Sequence, residues 1–152
     1  MNREILFRGE CIDETCLKGQ WLEGYILHDG VTGKYYIHRD NYLNESDNVG
    51  EEGLLRFVAY EVDPETVCQY TGLTDKNGRK IFEGDILKRV LLPTKRIENN
   101  FRIAFVPVKS CFSAIDLDGS NVTFISDYIN SSYEIEVIGN IFDNPELIGS
   151  TE

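Results

Sequence analysis

The residues of this chain with the means to do chemistry are its carboxylates, its cysteines and one dense run of cations. Asp63 and Glu65 flank Pro64, and Glu83 and Asp85 flank Gly84. Brought together by folding, these four carboxylates would make an oxygen-ligand metal site or a general acid–base pair, the arrangement of a small metal-assisted hydrolase. Taken singly, each pair reads as local structure, an Asp-Pro turn and a bend ahead of a strand, with the side chains satisfying nearby amides. The sequence has no phosphate-binding glycine loop, no dinucleotide-binding glycine pattern and no nucleophile elbow around any serine. Asp75-Lys76-Asn77-Gly78 and Asp116-Leu117-Asp118-Gly119 space oxygen ligands in the manner of calcium loops. Both place glycine fourth instead of sixth and carry Ile86 and Asp127 where a glutamate is required, so hairpin turns explain them better. The expectation is a protein without catalysis or cofactor.

Lys76, Arg79, Lys80, Lys88, Arg89, Lys95 and Arg96 fall within residues 76–96 beside only Glu83 and Asp85, a local charge of +5 in a chain of −11. A basic patch on an acidic body would bind nucleic acid through phosphate contacts. The acidic remainder opposes polyanions and anionic membranes at long range, and the window contains one aromatic residue, Phe82, where a stacking surface needs several. The plainer reading is that these cations are solvated strand-edge residues that guard against aggregation. Cys68 and Cys111 lie in apolar strand-like segments and read as small core hydrophobes. Cys11 and Cys16 sit four apart in a loop-like stretch, and His28 and His38 do not complete a zinc pattern with them. In a chain of 152 residues that buries its own core, all four thiols are expected to be reduced and no metal is called for.

The elements that must position these residues are strands. Short aromatic and β-branched runs alternate with Gly, Asn and Asp punctuation, and long helical periodicity is missing. The runs are Ile5–Phe7, Trp21–Leu27, Lys34–His38, Leu54–Tyr60, Thr66–Tyr70, Ile86–Leu92, Phe101–Val108, Ser110–Ile115, Val122–Ile125 and Tyr133–Phe142. Asp29-Gly30, Thr32-Gly33, Asn77-Gly78 and Asp118-Gly119 mark hairpin turns, and Tyr42–Gly53 reads as an exposed polar loop. One short helix is expected, around Ser126–Ser131 or after Asn144-Pro145. The prediction is a mainly β, single-domain chain over 1–152, made of small bent sheets or a barrel. Within it an SH3-like, five-stranded half from about Gly72 (72–152) would pack on an amino-terminal sheet (1–71). No apolar run approaches the roughly 18 residues of a membrane helix, and the charged start Met1–Arg8 lacks a signal-peptide core.

Four blocks carry a resemblance beyond physics: Arg3–Arg8, Val62–Val67, Gln69–Gly78 running into Ile81–Ile86, and Glu136–Leu147. Together they are similar to the signature of the YopX family of phage and prophage proteins. The resemblance implies a β-rich protein in the cytoplasm of a bacterial host, with no catalytic residue to carry over. Gly72, Gly78, Gly84 and Gly139 in these blocks have structural readings as turn, bend and bulge positions. The tract between Arg89 and Asn121 lies outside the blocks and is where specificity of this member would reside. The expected function is a non-enzymatic binding or assembly module that meets a phage or host protein, or a second copy of itself, through a barrel face or an open strand edge. Nucleic acid held by the basic window and hydrolysis by the four carboxylates are the alternatives.

Overall fold

A computed structural model describes residues 4–14, 17–39, 58–129 and 132–148. The expected loop Tyr42–Gly53, the first part of the strand expected at Leu54–Tyr60, and Cys16 lie outside the described residues. The chain divides into two compact units, Met1–Gln69 and Tyr70–Glu152.

In the first unit, β1 (Phe7–Glu10), β2 (Trp21–His28), β3 (Tyr35–His38) and β4 (Ala59–Val62) are antiparallel neighbours in the order β4-β3-β2-β1. Period-two alternation turns Leu22 of β2 and Ile37 of β3 to one side, where they form a core with Cys11 and Val62. The turn joining β2 to β3 is built by Asp29, whose carboxylate accepts from the Val31 amide at 2.8 Å and the Thr32 hydroxyl at 2.6 Å. A second side-chain device holds the end of β1. Thr66 Oγ1 accepts from the Glu10 amide at 2.9 Å and donates to the Asp63 carbonyl at 2.8 Å. Strand β5 (Cys68–Thr74) begins beside β1, with Phe7 opposite Gln69.

The second unit takes up β5 at Tyr70, which pairs with Phe82 of β6 (Lys80–Phe82). Its larger part is a five-stranded antiparallel sheet of β7 (Asp85–Leu91), β8 (Arg96–Val106), β9 (Cys111–Asp116), β10 (Val122–Phe124) and β11 (Tyr133–Asn140). The strand order is β10-β9-β8-β7-β11. Of the two forms the pattern allowed, the bent sheet is the one adopted. β10 and β11 end it as separate edges, so it does not close into a barrel. One face carries Leu87, Phe101, Ile103, Ala114, Ile135 and Val137, and the single-turn helix α1 (Ile125–Tyr128) lays Ile125 and Tyr128 on it. A second short helical turn, Pro145–Ile148, follows β11, so both places proposed for a helix are occupied. No helix among the described residues is long and apolar enough to cross a membrane.

Candidate functional site

The carboxylates singled out in the sequence are engaged in local structure. Asp63 caps the turn Pro64–Thr66 by accepting from the Glu65 amide at 2.9 Å. Asp85, fully buried, accepts from the Phe82 amide at 2.8 Å, and Glu83 accepts from the Phe105 amide at 3.0 Å. Glu65 is exposed at the first unit's surface. Among the described residues no three His, Cys, Asp or Glu side chains are grouped as a metal centre.

The basic window is largely neutralised where it stands. Lys76 and Lys88 share Glu136 at 2.8 and 3.0 Å, Lys95 pairs with Glu134 at 3.1 Å, and Arg89 with Glu98 at 3.1 Å. These hydrogen bonds with Lys76 and Lys88 hold the Glu136 carboxyl below the usual carboxylate range. Lys80 lies over the Tyr70 ring, Arg79 belongs to the turn between β5 and β6, and Arg96 opens β8 opposite Leu91. Lys88 and Arg89 are consecutive on a regular stretch of β7, so they leave the sheet on opposite sides. The seven cations therefore do not make one face.

The sheet's two edges differ in how their backbone is treated. At β11 the turn that follows β5 lies alongside: the Lys76 amide donates to the Ile135 carbonyl at 3.0 Å, and the Val137 amide donates to Asp75 Oδ2 at 3.2 Å. Asp75 Oδ1 takes the Asn77 and Arg79 amides at 2.8 and 2.9 Å. Burial pushes the Asp75 carboxyl up, and the amides of Arg79, Val137 and Asn77 outweigh this and hold it below its ordinary value. Gly78, at φ +79°, gives this turn the left-handed residue it needs.

At β10 the sheet ends without such a cover, and apolar side chains gather there. Phe124 is 50% exposed, Val122 37%, Phe105 46% and Val108, at the tip between β8 and β9, 94%. Phe105 meets Phe112 edge-on with centroids 5.6 Å apart. Lys109 donates to the Val122 carbonyl at 2.7 Å and stands 5.1 Å over the Phe124 ring, the one charge set among these residues. Sequence reasoning placed all four apolar residues in strands but not on the surface, because alternation gives a strand two faces without saying which neighbours cover them. The exposed tip was foreshadowed only by Pro107, which breaks the strand before Val108.

Towards the other end of β8 and β9 lies a polar groove of about 350 Å³ lined by Asn99, Asn100, Asp116, Leu117 and Asp118. Asp116 Oδ1 accepts from Asn99 Nδ2 at 3.0 Å and from the Tyr128 hydroxyl at 3.2 Å. Burial raises the Tyr128 hydroxyl above its ordinary value, which keeps it a donor to Asp116. Behind it the Arg89 guanidinium lies 4.5 Å from both the Tyr128 and the Tyr133 ring centroids.

An open, bent antiparallel sheet with one sealed and one apolar edge defines a β-rich protein with a docking surface in place of a reaction centre. The family of such a chain is settled by comparison: the YopX protein family model matches residues 25–149, and the chain belongs to that family. Its structure is similar to the crystal structure of protein EF1440 from Enterococcus faecalis, at 26% identity and a TM-score of 0.57 over 97% of this chain and 100% of that one. A comparison with curated proteins gives no match.

Proposed function

We propose that this chain is an accessory protein encoded by a phage or prophage, and that it works in the bacterial cytoplasm as a non-enzymatic binding or assembly module. Its contacts are with protein. The observation that carries the reading is the group Phe105, Val108, Val122 and Phe124 exposed beside the β10 edge. Exposed strand edges invite a further strand, whose backbone supplies hydrogen bonds while flanking apolar side chains supply selectivity. A partner segment laid along β10 would cover Val122 and Phe124. Family membership supports the phage setting, and the bacterial source of the similar structure agrees with it.

The test is affinity capture with the full chain from bacteria carrying the corresponding phage, compared with a Phe124→Glu/Val108→Glu variant, with bound proteins identified by mass spectrometry. Light scattering on both proteins detects self-association. The reading expects a defined partner, or a second copy, retained by the parent and lost from a variant that melts at the same temperature. Identical capture by the two proteins would overturn it.

A further inference from the structure

The groove between β8 and the β9–β10 turn has a chemistry of its own. Its lining holds two carboxylates, two amides and a leucine, with no cation. Asp116 is held by Asn99 and Tyr128 through one oxygen. Asp118 accepts from the Ser120 amide at 2.8 Å through Oδ1, and its bonds with Ser120 hold it below the usual carboxylate range, so it is ionised at neutral pH. Each carboxylate can accept more bonds than these. Asn99 Oδ1 is a buried acceptor with no donor, which is uncommon in a folded protein. Arg89, the cation of this network, is already committed to Glu98 and lies between two tyrosine rings. The groove therefore presents acceptors in excess of donors, on a chain whose net charge is −11.

We infer that this groove receives an arginine side chain presented by the protein partner, its guanidinium facing Asp116 and Asp118 and its methylene stem lying on Leu117. The inference rests on the protein-binding reading above. A guanidinium suits it better than a bare metal ion for two reasons. The space is of side-chain size, and no three His, Cys, Asp or Glu among the described residues are grouped to hold a metal. A planar fork of five N–H donors can meet two carboxylates and an amide oxygen at once, whereas a lysine ammonium is a compact point charge.

The experiment is an NMR titration of the isotope-labelled full chain with N-acetyl-arginine amide, its uncharged citrulline counterpart, N-acetyl-lysine amide and calcium chloride. The expected result is saturable movement of the Asn99 and Asn100 side-chain amides and the Ser120 backbone amide with the arginine probe. Binding should weaken by about tenfold or more for citrulline and for Asp118→Asn, since a charge-assisted pair becomes a neutral one. Asp118 is exposed, so the variant's unchanged melting temperature separates lost binding from lost folding. Equal response to citrulline, no response to arginine, or tighter binding of calcium at the same signals would overturn the inference. Failure here with Phe124→Glu/Val108→Glu still abolishing capture would sink only the groove. Intact arginine binding with unaltered capture would sink the apolar edge.

Discussion

The two edges of the five-stranded sheet solve the same physical problem in opposite ways. At β11, backbone groups facing away from β7 find a carbonyl–amide partner in Lys76 and a carboxylate in Asp75. At β10, the sheet ends in a three-residue strand flanked by Phe105, Val108 and Phe124, with Lys109 as the sole charged guard. A protein that had merely to stay soluble would blunt both edges. That one is sealed with a buried side chain and the other is short but apolar argues that β10 is left open for use.

Breaking the seal should have the largest effect. Asp75→Ala leaves the Val137, Asn77 and Arg79 amides without their acceptor, and a loss of about 3 kcal/mol is expected in urea unfolding. The pH dependence follows from the depressed carboxyl. In the unfolded chain Asp75 titrates near about 3.9, so its contribution is complete above that value and disappears as pH falls through the lower folded pKa. A plot of urea midpoint against pH should therefore be flatter below about 4 in Asp75→Asn than in the parent. Gly139→Ala tests the same strand at its bulge. The new Cβ would stand 2.3 Å from Asn144 Oδ1 and 3.1 Å from Leu147 Cδ1. Moving Asn144 gives up its bond from the Asn140 amide, and about 1–3 kcal/mol should be lost in the same assay. On the open edge the contrast reverses: Phe124→Glu/Val108→Glu should alter stability by no more than about 0.5 kcal/mol for each exposed position while removing partner capture. The smallest effect belongs to Glu136→Gln. It breaks the ion pairs with Lys76 and Lys88 on the outer face, and thermal melts in low and high salt should match the parent, because exposed pairs add little.

Much of this frame was legible in the residues. Alternation in Ile135–Val137 and Ala114–Asp116, and the Asp118-Gly119 and Asn77-Gly78 turns, located β9, β11 and two of the hairpins. β8 was legible only in part, since its first residues, Arg96–Asn100, are polar and are held in the strand by backbone pairing with β7. Cys11 was read in a loop and proves fully buried, because a bridge to Val62 fixes it in the core. Asp75 was legible as a turn residue but not as the cap of β11, a contact that only tertiary structure creates. The groove drew on Asp116 and Asp118, which the sequence offered as a turn. Asn99, Asn100 and Tyr128 carried no signal, because their convergence depends on the register of β8 with β9 and on where α1 lands.

The Asp75 cap also bears on the order in which the carboxyl-terminal unit assembles. Its bond to Val137 spans 62 residues of sequence, whereas β7–β8, β8–β9 and β9–β10 join consecutive strands through short turns. Loop-closure entropy grows with the length enclosed, so the local hairpins close first and the distant contact forms on a sheet already in place. A contact made that late changes the lifetime of the native state more than the speed of reaching it. Asp75 thus acts as a latch, governing how often the β11 edge is bared and available to the wrong neighbour.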